Sequence, residues 1–529
     1  MPLVHPLLLA LGLSLLLTSC GGTVTQKVTP APDDLRTAME YDEPYRPQVH
    51  FSPPTQWMND PNGMVYHEGE YHLFYQYYPD SNVWGPMHWG HAVSGDLVEW
   101  EHLPLALYPD SLGWIFSGSA VVDHGNTSGL GEIGKDPLVA IFTYHNDPLE
   151  KAGHDDFQYQ GIAYSNDRGR SWTKYAGNPV IPNTAAIRDF RDPKVVWDAE
   201  REQWLMVFAA QDRVLFWRSD NLIDWERLSA FGQDIGGHGG VWECPDIFPL
   251  QIVETGETRW VLLVSINPGG PNGGSATQYF VGNFDGTAFT LDPTFAGEVR
   301  NSNAVWLDYG RDNYAGVSWA NIPDTDGRRL FMGWMSNWAY ARDVPTTVWR
   351  GAMTVPRTLS LHQTPEGYRV YSSPVEELTQ LRREAQVFHG EHQLKNLSSG
   401  AFELELMYVL DDDVADTLGV ELRNIAGETL QVGYDAQTKT FYTDRRGAGP
   451  NDFSDRFALA PHRAPRISNS DTLRLHLILD RASVEVFADG GATVLTDIVF
   501  PTEPFDRVVL IGEGEGTIYG LRSIWGSTR

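Results

Sequence analysis

The chain runs to 529 residues, enough for three or four average domains or for fewer large all-β ones. Its 39 Lys and Arg against 69 Asp and Glu leave a net charge of −30, which repels a phosphate backbone and argues against nucleic acid as a partner. Hydrophobic residues make up 42% and charged residues 20%, which excludes wholesale disorder, and two cysteines, Cys20 and Cys244, exclude a disulfide scaffold or a thiolate-rich metal site.

Residues 7–17, Leu-Leu-Leu-Ala-Leu-Gly-Leu-Ser-Leu-Leu-Leu, form an apolar run too short for the ~20 residues of a membrane-spanning helix, which fits a secretory signal. Leu17-Thr18-Ser19-Cys20 closes it and resembles the bacterial lipobox, whose cysteine is lipidated and becomes the new N-terminus. The absence of Lys and Arg before the apolar run departs from that pattern. Residues 1–20 are therefore expected to be a lipoprotein signal peptide with Cys20 the lipidated residue. Residues 21–44, rich in Thr, Pro and Asp, read as a flexible tether. The expected location is exported, lipid-anchored to the cell envelope (outer membrane) or secreted, with a membrane as partner through Cys20. Cys244 is left without a partner thiol.

From residue 45 to 365 the apolar runs are short, β-branched and aromatic, with Gly, Asn, Asp and Pro between them, an all-β pattern. Five runs look alike, beginning at Tyr71, Leu138, Trp204, Trp260 and Arg329, so the repeat is about 64 residues. Between them Ser94 with Trp100, Ser165 with Trp172, and Ser219 with Trp225 recur across turns holding Asp96, Asp167 or Asp220, and Phe284-Asp285-Gly286 with Phe289 looks like a fourth copy. Trp100, Trp172 and Trp225 are read as core packing at these hairpins. Five units long enough for four strands each predict a five-bladed β-propeller. Residues 366–383 read as a linker. Over 384–529 strict alternation, as in Phe402-Glu-Leu-Glu-Leu406, predicts strands with one face buried and a β-sandwich. The chain's 18 Trp, 22 Tyr and 23 Phe suit such folds, and rings exposed in a cleft also stack on sugar faces.

Three segments dense in polar and aromatic residues precede repeat strands one, three and four: Trp57-Met58-Asn59-Asp60-Pro61-Asn62-Gly63, Arg191-Asp192-Pro193 and Trp242-Glu243-Cys244-Pro245-Asp246. Singly, the first is an ordinary turn, the second a surface ion pair and the third a solvated acid. Together they occupy matching places in a repeat whose equivalent positions surround one channel, so Asp60, Asp192 and Glu243 can converge on one pocket. Two carboxylates, one nucleophilic and one protonated, are what retaining glycoside cleavage requires.

Trp57 to Gly63, Phe116-Ser117-Gly118-Ser119, Arg191-Asp192-Pro193 and Glu243-Cys244 resemble, in order and rough spacing, the motifs of glycoside hydrolase family 32. The resemblance covers the chain from about residue 45 to its end. It implies a five-bladed propeller with a C-terminal sandwich and a β-fructosidase, acting on a fructan (levan or inulin) or sucrose. Carried over residue by residue, it implies Asp60 as nucleophile, Glu243 as general acid/base and Asp192 as the carboxylate that holds sugar hydroxyls. It also implies a fructose pocket lined by Asn59, Gln76, Trp84, Phe116, Ser117 and Trp338, beside the motif residue Trp57, with Arg191 orienting Asp192. Glu243 has to be protonated when substrate binds, a state that like-charge repulsion from Asp60 and Asp192 favours and that Trp242 could reinforce by excluding water.

No cofactor and no metal is expected, because His88, His91, His145 and His238 show no ligand pattern. The glycine-rich loop Ser265–Ser275 is expected near the rim and is similar to that of microbial exo-acting fructan hydrolases. Exo-acting release of terminal fructose is the leading expectation. A fructosyltransferase, an endo-acting fructanase and a lipid-anchored fructan-binding protein without turnover are the alternatives. The sandwich either binds glycan or braces the propeller, and oligomeric state is open.

Overall fold

A computed structural model describes residues 41–525, except 301, 302, 396, 398 and 411–414. The expected signal peptide, Cys20 and most of the expected tether lie outside the described residues. No described helix is long and apolar enough to cross a membrane. The architecture is all-β, a β-propeller plus a β-sandwich, with one short α-helix, Asp147–Lys151, among the described residues.

Up to Pro374 the strands form five small sheets, the first of five strands and the others of four. The five similar runs become the second strand of each sheet: Glu70–Tyr78, Leu138–His145, Gln203–Ala210, Thr258–Asn267 and Arg329–Trp334. A second strand has a neighbour on each edge and packing on each face, so it reads as a continuous apolar run. Every residue of Leu138–His145 and Gln203–Ala210 is buried. The repeated Ser/Trp feature is the turn between third and fourth strands. Asp96 accepts from the Val98 and Glu99 amides, and Asp167 from that of Ser171. In the third copy Asn221, not Asp220, takes this place, accepting from the Ile223 and Asp224 amides. The fifth sheet continues past residue 365, because Arg357–Thr364 turns tightly into Gly367–Pro374 and pairs with it throughout.

The first strands of the five sheets, Gln56–His67, Trp114–Val122, Phe190–Asp198, Val241–Gln251 and Tyr314–Ser318, touch in succession, and the last returns to the first. Each starts at the same mouth of the ring, so residues near their starts share one pocket.

The remaining strands form two six-stranded antiparallel sheets packed on a core that includes Leu404, Val420, Val432, Leu477 and Val486. Alternation is visible along Phe402–Val409, whose side chains pack inward at every second position. Buried charges fasten this sandwich to the propeller. His50 lies 2.8 Å from Asp480 and 2.9 Å from Glu485. Burial alone would lower the pKa of His50, but hydrogen bonds and charge from the two carboxylates raise it to about 9. Arg357 pairs with Glu485 and, at 3.0 Å, with Asp308. Arg445 of the sandwich donates to Asp312 at 2.6 Å and to the Tyr340 hydroxyl at 2.8 Å, both in the propeller.

Candidate active site

Each of the five first strands carries a β-bulge close to its start. Pairing with the second strand breaks between Met58 and Pro61, Ile115 and Gly118, Glu243 and Asp246, and Tyr314 and Val317, and between Arg191 and Lys194 on the third. The residues released from the ladder are Asn59-Asp60, Phe116-Ser117, Asp192-Pro193, Cys244-Pro245 and Ala315-Gly316. A bulge bends the strand and re-aims its side chains, so five equivalent bulges turn five segments toward one mouth. Asp192, Cys244 and Ala315 have φ of +66°, +44° and +54°, a left-handed conformation that costs a non-glycine residue about 1 kcal/mol or more.

The mouth holds a cavity of about 420 Å³ lined by Asp60, Asp192 and Glu243. Asn59, Gln76, Trp84, Phe116, Ser117, Arg191 and Trp338 also line it. Trp57 does not: it is fully buried beneath, where its indole N–H donates to Asn59 Oδ1 at 2.8 Å and its ring stacks on Trp338 at 5.8 Å.

Asp60 is held by donors on both oxygens. Asn59 donates to Oδ1 at 3.0 Å and the Ser117 hydroxyl to Oδ2 at 2.6 Å. Burial raises the Asp60 pKa, these donors pull it back and the charge of Glu243 adds to the rise. Burial also pushes Asp192 up to about 7, with Arg191 opposing and the charges of Glu243 and Asp60 adding. The Cys244 amide donates to Asp192 Oδ2 at 3.0 Å, and its thiol lies 3.5 Å from Asp60 Oδ2 and 3.6 Å from Asp192 Oδ2. Burial and three neighbouring carboxylates raise that thiol well above its usual range, so it stays protonated and inert as a nucleophile. Asp60, Asp189, Asp192 and Glu243 gathered around the Arg191 guanidinium leave an excess of negative charge, which favours keeping a proton inside the site.

Arg191 has more partners than Asp192 alone. Its guanidinium donates to Glu243 Oε1 at 2.9 Å and to Asp189 at 2.6 Å, whereas Asp192 is 3.8 Å away. The Tyr314 hydroxyl donates to Glu243 Oε2, so both oxygens of Glu243 are fixed. Trp242 is fully buried with its indole N–H on the Gly237 carbonyl. Gln76 is 2% exposed and its Nε2 has no protein partner, an unmet donor at the pocket wall.

Sequence reasoning missed Tyr314, Asp189, Gln158, Asn267 and Arg342. Tyr314 lacks a motif, but it opens the first strand of the fifth sheet, where the repeat places a site residue. Arg342 stands at the rim over Trp84 and Trp338, at 5.6 and 5.8 Å from their rings. The glycine-rich loop supports the Trp338 wall: Ser275 Oγ accepts from the Trp338 amide, and its own amide donates to Asn337 Oδ1. None of these groups forms a metal-ligand cluster with others among the described residues. Among the described residues one cluster of suitable groups, Glu403, Glu405 and His476, lies in the sandwich, where Arg382 already bridges both carboxylates.

Comparison with known proteins places this geometry in a family. Residues 50–374 match the glycosyl hydrolases family 32 N-terminal domain and residues 375–525 its C-terminal domain. A levanase of Bacillus subtilis is 48% identical over 510 residues, covering 94% of this chain and 73% of that protein. An extracellular exo-inulinase of Aspergillus awamori is 39% identical, covering 92% of this chain and 96% of its own. The crystal structure of exo-inulinase from Aspergillus awamori superposes with a TM-score of 0.83 at 36% identity, covering 92% of this chain and all of that one. A fructofuranosidase from Schwanniomyces occidentalis complexed with fructose gives 0.80 at 30% identity, covering 92% and 100% of the two chains. With two matched domains spanning residues 50–525 and relatives 48% and 39% identical over more than nine-tenths of the chain, the chain belongs to glycosyl hydrolase family 32 and is a glycoside hydrolase of the fructosidase class.

Proposed function

We propose that the enzyme releases terminal β-D-fructose from a fructan, levan or inulin, and also cleaves sucrose, through a covalent fructosyl-enzyme intermediate. The observation that carries this reading is the meeting in one pocket of Asp60, released from its strand by a bulge and held by Asn59 and Ser117, and Glu243, the ladder residue just before the bulge of another sheet, held by Arg191 and Tyr314. Asp60 attacks the ketal carbon C2 while Glu243 passes its proton to the departing oxygen. Water then enters, Glu243 takes a proton from it, and the ester to Asp60 breaks with the β configuration kept. Asp192 accepts from ring hydroxyls, contacts that tighten as positive charge develops at C2. Gln76 Nε2 donates to another hydroxyl, and Trp84, Phe116 and Trp338 supply apolar walls. The names of the Bacillus levanase and Aspergillus exo-inulinase favour the fructan reading and exo action.

Time-resolved chromatography on levan, inulin and sucrose tests it. Fructose alone from the earliest point is the expected result. A ladder of oligosaccharides means endo cleavage, longer products from sucrose mean fructosyl transfer, and no product means a binding protein.

The Trp338 wall gives a second test. Gly274 has φ +76°, and a Cβ there would fall 2.2 Å from Asn337 Oδ1. Gly274→Ala should displace the Asn337-Trp338 turn and raise KM on a fructan trisaccharide about tenfold, with kcat within about twofold. Unchanged KM in initial-rate measurements would remove Trp338 from the sugar site.

The five small sheets are read as five blades around the channel, residues 45–374 as the catalytic domain and 382–529 as the sandwich domain, so the expected linker 366–383 shrinks to the short connection at 375–381. Residues 1–20 and 21–40 are read as signal peptide and tether, with the protein exported and lipid-anchored at Cys20; the last four residues of the expected tether instead pack on the folded body, Tyr41 stacking on Trp525 at 4.2 Å and Asp42 pairing with Arg481 at 2.8 Å. Cys20→Ser should move the protein from the envelope fraction to the soluble one, and unchanged fractionation would reject the anchor.

A further inference from the structure

The channel opens a second time at the far ends of the first strands. Val121-Val122, Val196–Asp198 and Ile247–Pro249 meet Ala320-Asn321 and Arg329 around a cavity of about 550 Å³, larger than the one at the active-site mouth. Asp192 and Trp197 lie five residues apart on one strand, so at ~3.3 Å per residue this cavity is some ~17 Å from the catalytic carboxylates. A molecule bound here cannot touch Asp60 or Glu243.

Three indoles, Trp197, Trp204 and Trp260, line it. Trp197 is 44% exposed, more than any other tryptophan of the chain. Leaving that indole in water costs apolar burial that the other tryptophans have secured. Its ring is nevertheless fixed, packed edge-on against Trp204 at 4.9 Å and 65°. Trp204 donates its indole N–H to Thr127, whereas those of Trp197 and Trp260 have no acceptor among the described residues. The Arg329 guanidinium also lines the cavity, and its Nη1 reaches only the Trp319 carbonyl at 3.5 Å.

An exposed but rigid ring beside unpaired donors suits a ligand with flat apolar faces and hydroxyl edges. Glu200 at the rim and a net charge of −30 disfavour an anion. We propose that this second mouth is a separate carbohydrate site that holds a stretch of neutral fructan, stacked on Trp197, while another part of the same polymer is cleaved. The inference rests on the fructan reading above. Occupying both mouths raises the effective concentration of chain ends at the active site, an advantage that only a long substrate gains.

Affinity electrophoresis in gels containing levan, inulin or starch, paired with kinetics, tests the proposal. Trp197→Ala should lower retardation by levan or inulin and raise KM on that polymer, each by about fivefold, the scale of removing one aromatic anchor. Its kcat/KM on a fructan trisaccharide should stay within about twofold of wild type. Trp197→Phe, which keeps a ring and protects against misfolding of the alanine variant, should retain retardation. Equal retardation and equal polymer KM for wild type and Trp197→Ala would overturn the site, and retardation by starch alone would overturn its fructan identity. Wild type that is retarded through Trp197 yet cleaves no fructan would leave this site standing and remove the proposed catalytic function.

Discussion

Asp60→Asn is expected to lower kcat on the preferred fructan by roughly 10⁴-fold or more, the scale on which enzymes lose activity with their covalent nucleophile. The amide has the shape of the carboxylate, its oxygen still accepts from Asn59, and its nitrogen can face the Ser117 hydroxyl, which then accepts. The fold should therefore survive, with the melting temperature within about 3 °C of wild type. Removing one of three clustered carboxylates also relieves repulsion at a pocket where burial already disfavours ionised Asp192. Initial rates beside a thermal melt make the check. A residual rate within about tenfold of wild type would rule Asp60 out as nucleophile.

Glu243→Gln should reveal its role through the leaving group rather than through the size of the loss alone. On a polymer the departing sugar oxygen is a strong base and needs a proton, so kcat/KM should fall by about 10³-fold, within the usual range for general acid catalysis. An aryl fructoside leaves as a stabilised phenolate, so its kcat/KM should fall far less, by about tenfold. The substitution keeps an oxygen and a nitrogen where Arg191 and Tyr314 now meet the carboxylate, so altered binding of the sugar ring is not the expected cause. Comparing the two substrates on the same preparation decides it. Equal losses on both would reject the acid role for Glu243.

Much of this site was legible because the sequence repeats. The five apolar runs are second strands, buried on both faces, and their composition shows it. Once they are aligned, Asp60, Asp192 and Glu243 fall in the segments before them. What sequence could not show was the bulges. Nothing in Ile115-Phe116-Ser117-Gly118 announces that one ladder bond is skipped, yet that skip turns Ser117 onto Asp60. Tyr314 was missed for a related reason: a tyrosine opening an apolar strand reads as core, and its hydroxyl acquires a role only when the fifth sheet closes beside the fourth. Arg191 was assigned to the neighbour in sequence, Asp192, and it stays within 3.8 Å of that carboxylate, but its hydrogen bonds go to Asp189 and across to Glu243 of the next sheet, which sequence order did not show. Trp57 sits within a motif but beneath the pocket, since it is still paired in the ladder, whereas the bulge that begins after Met58 turns Asn59 and Asp60 to the pocket above it.

The contact of Arg445 with Tyr340 bears on how such a protein can be rearranged. Tyr340 is two residues from Trp338, in the turn where the Tyr340 and Ala341 amides both donate to the Asn337 carbonyl, and Arg445 also binds Asp312 and the Phe457 carbonyl. One wall of the sugar pocket is therefore anchored by an arginine of the other domain. A carbohydrate-binding module strung on a linker can be lost, duplicated or swapped between enzymes without changing their active sites. This sandwich cannot be traded in that way, because its removal would leave Asp312 buried without Arg445, Arg357 buried without Glu485, and the pocket turn without its anchor. The two domains form a single heritable unit, and any recombination that respects the chemistry has its boundaries outside both.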